Sequence, residues 1–547
     1  MSQRTCETTS RGFAQRTWTA LAALMSAVAL LAAVPAAADW PMFGANLENT
    51  ATANPGGITQ GNVSGLLPKW TFTTGGDVSA RAAVVNGIVY FPDWGGNLWA
   101  VDGRTGQQIW GKQIKQYFSS DPAAPQVNSR TSPAVANGVV YIGTQEGAYL
   151  LAINAATGAL IWKTQMESPA NDFAAIVTAS PVVSDGLVYT GVASNQEAAA
   201  AFVPPPFFVC CTGRGSVVAV NAATGAIAWK TYMVPKGYSG GGVWGSNFVV
   251  DTSRGTLFTS TGNNYSESVD PAYVACRGSG GTKTSCASPD NHVDSIVALN
   301  LKTGAIKWAS KFVTWNQPPF LAVDGSDDWN VACFLLPNGQ PGVGPNCPAD
   351  PGPDYDFASA PNLITYHGKD GKKTILGAGQ KSGIYFAIDP DTGAELWHTQ
   401  VGPGSSLGGM EWGSASDGER IYVSIANLYG IPSAVGSAGS WAALDPATGA
   451  ILWQKPDPSA AIALGPLTVA KGVVYAPSMA GIAGQPSMLA LDAATGNTLW
   501  SFAAGSSVNA GASIADNTVY WGSGYAHLGI PGYTANNKFY AFSIDGK

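Results

Sequence analysis

Two carboxylates stand two residues apart in the segment DPGPDYDFASAPNL, Asp354 and Asp356, in a chain whose charged residues make up only 12% of the total. A carboxylate held away from water can take a proton from a hydroxyl or ligate a hard cation. The plain alternative for Asp356 is a turn cap. Arg130 in VNSRTSP offers a planar guanidinium that can grip a carboxylate bidentately, which a lysine cannot; the alternative is a surface ion pair. Further candidates are Thr178 in VTASPVV, Glu197 in GVASNQEAAAAF, the vicinal Cys210 and Cys211, Lys381 in GQKSGIYFAID, and Glu411 and Trp412 in LGGMEWGSASDG. Trp244 and Asn263 share the stretch GGGVWGSNFVVDTSRGTLFTSTGN, where each alone reads as packing or as a turn. Four His in the chain leave little room for a histidine-based zinc site.

Something must bring these scattered residues together, and a repeat supplies it. One pattern recurs as AVDGRTGQQIW from Ala100, AINAATGALIW from Ala152, AVNAATGAIAW from Ala219, ALNLKTGAIKW from Ala298, AIDPDTGAELW from Ala387, ALDPATGAILW from Ala443 and ALDAATGNTLW from Ala490. Each copy is an apolar strand, a D/N-x-x-T-G turn whose Gly can take positive φ, and a second strand ending in Trp. Before most copies lies another strand pair turning at a D/N/K-G step, as in AVANGVVYIG and VAKGVVYAP. Two hairpins make a four-stranded blade, and a lone blade cannot bury both of its faces. The last copy is split: AFSIDGK ends the chain, while LLPKW, ending at Trp70, supplies an outer strand from the other end. The fold predicted is therefore an all-β, eight-bladed β-propeller of antiparallel blades over residues 39–547, closed by its two termini. The Trp residues should pack blade on blade. Spacing between repeats is greatest between Trp162 and Trp397, so long insertions fall in the middle blades, where loops carry function.

Residues 1–38 have the form of a secretory signal: Arg4, Arg11 and Arg16 precede an apolar run from Ala20 to Val34, and Ala36–Ala38 offer a small-residue cleavage site. A periplasmic or secreted protein with no membrane span after cleavage is expected. An acidic balance of 28 Lys and Arg against 35 Asp and Glu disfavours nucleic acid as a partner. Six cysteines remain past the signal, an even number that reads as disulfides in an exported protein. Sequence proximity favours Cys210 with Cys211, Cys276 with Cys286, and Cys333 with Cys347, and closeness is the sole basis for that pairing. No G-x-G-x-x-G opens a helix after a strand, which argues against a nicotinamide enzyme.

The repeat and the site segments together resemble the quinoprotein alcohol dehydrogenases. Non-enzymatic outer-membrane assembly propellers share the repeat, so discrimination rests on the site. The resemblance implies pyrroloquinoline quinone (PQQ) and a metal ion, Ca2+ or a lanthanide, at the propeller centre. It implies Trp244 as a floor under the quinone, and Asn263 and Glu197 as metal ligands. Arg130 would pair with a quinone carboxylate, while Thr178, Lys381, Glu411 and Trp412 would line the quinone pocket. Asp354 would be both catalytic base and metal ligand, although Pro353 stands where the family has Trp. Asp356 falls where lanthanide-using members carry an additional carboxylate. Cys210 and Cys211 are similar to the vicinal disulfide that covers the quinone, but they follow Arg130 where the family pair precedes it; they cover the quinone or serve as a structural staple. The E-W-G combination is similar to the polyvinyl alcohol dehydrogenase branch. No CxxCH motif for c-type haem occurs, so a separate soluble cytochrome c is the expected electron acceptor. The rivals are a quinoprotein for small alcohols or polyols, and a cofactor-free envelope-assembly propeller.

Overall fold

The computed structural model describes residues 39–53, 56–245, 247–312, 326–334, 344–527, 529 and 532–547; the expected leader, 1–38, lies outside them. Eight antiparallel sheets follow one another along the chain, seven of four strands and one of five. The first blade is typical: Ala83–Val85, Ile88–Pro92, Asn97–Asp102 and Gln108–Gln113 pair in order from the innermost strand outward. Leu66–Thr73 pairs with Lys538–Ile544 as the outermost strand of the eighth blade, so the two ends of the chain close the ring as the split repeat predicted.

The repeated residues explain how blades stack. In the second copy, Asn154 Oδ1 accepts from the backbone N–H groups of Ala156 and Thr157, both at 3.0 Å, and Gly158 completes the turn at φ 70°. The ring of Trp110 from the preceding blade lies against that glycine, where a Cβ would meet it at 2.9 Å, and the Trp110 indole N–H donates to Ala155 O at 2.9 Å. Gly449 meets Trp397 in the same way, with a Cβ contact of 2.5 Å. Thus the T-G glycine serves twice: it provides the left-handed turn, and it leaves room for the neighbouring blade's Trp. Other indole N–H groups repeat the link, from Trp162 to Ala222 O, Trp229 to Leu301 O and Trp453 to Ala493 O, each at 3.0 Å.

A second device ties the inner strands together. Trp40 pairs with Val84; Pro41 O, Leu47 O, Glu48 O, Thr50 O and Ala51 O then accept from Val135, Val250, Leu363, Ser416 and Val469 N–H. Residues 40–53 therefore run past the inner strands of six blades, offering them single hydrogen bonds in turn. Arg81, 1% exposed, anchors here without a carboxylate: its Nη1 donates to Phe43 O at 2.7 Å and its Nη2 to Leu467 O at 2.8 Å, with the Phe43 ring 4.6 Å from Cζ.

Candidate active site

Antiparallel blades give the ring two ends. The N-G and T-G turns, which join first to second and third to fourth strands, share one end; the loops from second to third strand and from blade to blade share the other. Every candidate residue lies on this second set. Arg130, Thr178, Trp244, Asp354, Asp356, Glu411 and Trp412 precede the innermost strand of their blades, while Glu197, Asn263 and Lys381 follow a second strand.

These loops converge. Lys381, 5% exposed, reaches Asp354 Oδ2 at 3.0 Å and Asp356 Oδ2 at 3.3 Å. Asp356 also accepts from the Trp244 indole N–H and from Asn263 N–H, each at 2.7 Å. Lys381 Nζ stands 5.0 Å from the Trp244 ring, and Thr178 Oγ1 donates to Trp244 O at 3.3 Å. Trp244 and Trp412 meet edge to face with centroids 5.5 Å apart, and Arg130 Cζ lies 4.6 Å from the Trp412 ring. Arg130 Nε is buried and has no hydrogen-bond partner among the described residues. A small cavity lies between Arg130, Thr178, Trp412 and Tyr525. Asn263 spends its amide N–H groups on Asn264 O and Trp329 O, at 2.9 and 2.8 Å, which leaves its side-chain oxygen as the remaining acceptor.

Glu197 opens helix α1 (Gln196–Phe202), on the loop between second and third strands of its blade. Buried Gln196 fixes that loop: its Nε2 donates to Asp172 Oδ1 at 2.9 Å, and its Oε1 accepts from Thr212 N–H at 2.8 Å. Just before Thr212, Cys210 and Cys211 form a disulfide; Cys210 Sγ lies 3.8 Å from Tyr265 O, two residues past Asn263, and Cys211 N–H donates to Ser266 Oγ at 3.2 Å. The vicinal pair is thus on the site end of the ring. Cys276–Cys286 and Cys333–Cys347 also form, so sequence proximity gave all three pairings.

The electrostatics follow from gathering four acids, three buried and Glu197 half-buried, around one lysine. Burial pushes the Asp354 carboxyl well above the ordinary carboxylate range; the Lys381 charge opposes this, and Asp356, Asp327 and Glu197 add to it. Burial pushes Glu411 up to about 7 against the pull of Lys381 and Arg130, and raises Glu197 to about 7 with help from Asp356. Burial alone would discharge Lys381, but Asp354, Asp356, Glu411 and Glu197 hold its ammonium protonated.

One residue here escaped the sequence reading. Asp327, 1% exposed, accepts from Asp354 N–H at 2.9 Å and Tyr355 N–H at 2.7 Å. Asp354 is left-handed at φ 62°, a conformation that costs a non-glycine residue about 1 kcal/mol or more unless its surroundings fix it. Asp327 fixes it. It also borders a recess of about 290 Å³ shared with Lys283, His292 and Asp328. Among the described residues no three His, Cys, Asp or Glu side chains form a ready-made metal cage, so any cation would draw on mixed oxygen donors.

Fold and site together define a closed propeller with a buried, charged, tryptophan-bracketed pocket on one end of its axis. A family profile, PQQ_2, described as "Outer membrane protein assembly factor BamB", matches residues 64–203 and 381–541. Those spans exceed half of the chain, and the chain belongs to the PQQ_2 family. It is 28% identical to a polyvinylalcohol dehydrogenase of a Pseudomonas species across 93% of this chain and 77% of that one, and 27% identical to a polyvinylalcohol dehydrogenase of Sphingopyxis sp. strain 113P3 across 94% and 77%. Among solved structures it resembles the quinohemoprotein alcohol dehydrogenase ADHIIG of Pseudomonas putida HK5, with a TM-score of 0.68 at 18% identity over 93% of this chain and 81% of that one. No helix among the described residues is long and apolar enough to cross a membrane.

Proposed function

We propose that this chain is a quinoprotein dehydrogenase that oxidises secondary alcohol groups, with polyvinyl alcohol as its substrate. The observation that carries the reading is the single cluster on one end of the ring that joins half-buried Arg130, Trp412 and Trp244 to buried Lys381, Asp354 and Asp356. The similarity adds a second support. The family profile leaves out residues 204–380, which hold Trp244, Asn263, Asp354 and Asp356, whereas the dehydrogenase relatives align across nearly the whole chain.

The pocket fits PQQ, a planar, carboxylate-bearing quinone. Arg130 has a buried N–H without a partner among the described residues and a guanidinium over the Trp412 ring, so a cofactor carboxylate would satisfy it. Trp244 and Trp412 supply aromatic faces, Thr178 and Glu411 would line the pocket, and the disulfide of Cys210 and Cys211, on the same end of the ring, would cover it. Asp354, Asn263 and Glu197 offer the oxygen donors that Ca2+ prefers. Asp356 already accepts from Trp244 and Asn263 through different oxygens, and the lone pair left on Oδ1 would make it an additional anionic donor for a lanthanide; Ca2+ is the ion proposed and a lanthanide the second choice. When bound, the quinone supplies a two-electron acceptor and the ion a Lewis acid beside it.

The residues of the chain do the rest. Asp354 accepts the substrate hydroxyl proton on a carboxylate oxygen; its raised pKa suits a base that must hold that proton. Lys381 keeps Asp354 oriented, and its charge opposes the rise that burial imposes on the carboxyl; Asp327 holds the backbone turn that presents it. An external cytochrome c then receives the electrons. The leader at 1–38 would deliver the protein to the periplasm or beyond.

Dye reduction by purified protein incubated with PQQ and Ca2+ and offered polyvinyl alcohol or pentane-2,4-diol tests the reading. Turnover that requires both additions is expected. Absence of both turnover and quinone binding would instead favour an envelope-assembly propeller, the reading that the description of the family profile suggests.

A further inference from the structure

Apolar side chains gather on the surface immediately beside the site. Phe202 is 81% exposed, Phe207 86%, Val209 68% and Phe173 63%. They belong to the stretch AFVPPPFFV, 201–209, and to the neighbouring loop, where Phe173 meets Phe208 edge to face at 5.7 Å. Monomeric proteins seldom present so many large apolar groups together without a ligand or partner.

The platform is built firmly. Three consecutive prolines, Pro204–Pro206, stiffen its centre. Asn346 holds both margins: its Nδ2 donates to Val203 O at 2.9 Å, and its Oδ1 accepts from Cys210 N–H at 3.2 Å. It is also continuous with the candidate active site, because α1 carries Glu197 in its first turn and Phe202 at its end, and the far margin runs into Cys210 and Cys211.

Its charge narrows the choice of occupant. No charged residue lies between Glu197 and Arg214, and no Lys or Arg lies between Lys163 and Arg214. The nearest carboxylates in sequence, Glu167, Asp172 and Glu197, are buried or half-buried, so a basic electron-transfer protein would find little to grip, and an anionic membrane would find no cation within these two stretches. An uncharged chain with regularly spaced methylene groups matches it: the methylenes lie on the aromatic rings while alternate hydroxyls stay in water.

We infer that the Phe173, Phe202, Phe207 and Val209 platform is a subsite for an uncharged polyhydroxylated hydrocarbon chain, and that it feeds such a polymer toward Asp354. The inference rests on the function proposed above and adds where the chain lies outside the reacting unit. Binding on the platform would act on polymers and not on short alcohols, which cannot span both places.

The test compares holoenzyme with the double variant Phe202→Ser/Phe207→Ser, both side chains being largely exposed. Expected is a fall of about tenfold in kcat/KM for long-chain polyvinyl alcohol, expressed in KM, with pentane-2,4-diol unchanged. Equal loss on both substrates, or loss on neither, overturns the subsite. Weakened binding to zwitterionic phospholipid vesicles with polymer kinetics intact overturns it too, and makes the platform a lipid contact. If wild-type protein oxidises no alcohol, the proposed function falls; retention of wild-type protein, and not of the variant, on immobilised polyvinyl alcohol still supports the subsite, and equal retention sinks it.

Discussion

The two ends of this ring obey different rules. On the turn end, one solution is repeated: an Asx-capped turn, a glycine and a tryptophan from the preceding blade, as in Asn154, Gly158 and Trp110. On the site end, no two loops are alike, and they hold four acids, one lysine and one arginine close together. The first end is apolar contact plus an indole hydrogen bond at most blade junctions. The second stores unfavourable charge burial, as the raised pKa values of Asp354, Glu197 and Glu411 show. A framework with many equivalent contacts can carry such a destabilised centre.

Substitutions on either end can break this contrast. The largest effect is expected at Asp354→Asn, with turnover lowered at least about a thousandfold while the thermal transition stays in place; steady-state kinetics with a melting curve check both. On the turn end, Trp162→Ala should cost about 3 kcal/mol of stability by denaturant unfolding and leave the affinity for PQQ unchanged. Similar losses of affinity in both variants would erase the distinction between the ends.

The stored charge has a pH signature. The Glu411 carboxyl is raised in the folded chain from an ordinary value near 4.5 to about 7. Its contribution to stability is therefore fully present below pH 4.5 and is lost as pH rises through about 7, a change of about 3 kcal/mol. Glu411→Gln should flatten that part of the stability profile of the cofactor-free protein. Next in size, Arg130→Lys should weaken PQQ binding by about tenfold or more, because an ammonium cannot replace the bidentate fork. The smallest change is expected for Asp327→Asn: kcat down by about tenfold with KM little altered, since the turn presenting Asp354 loses one acceptor but the pocket stays.

The sequence made the turn end legible because its geometry forces residue identity. Only glycine fits where Trp110 meets position 158, so the pattern recurs and can be counted. The site end has no such recurrence. Arg130, Trp244 and Asp354 could be picked out only by resemblance, since nothing in their spacing says that loops from different blades meet. Asp327 was beyond reach: it acts by accepting backbone N–H groups from residues 354 and 355, a role that leaves no mark on side-chain pattern. Residues 40–53 were equally silent, because isolated hydrogen bonds to successive blades have neither strand nor helix period.

The central claim is that the cluster at the site end seats PQQ through Arg130. Its most direct test is a titration of cofactor-free protein with PQQ in the presence of Ca2+, following quenching of tryptophan fluorescence from Trp244 and Trp412. The account predicts saturable quenching at one equivalent that is lost in Arg130→Ala. Quenching that never saturates, or that is the same in the variant, would contradict it.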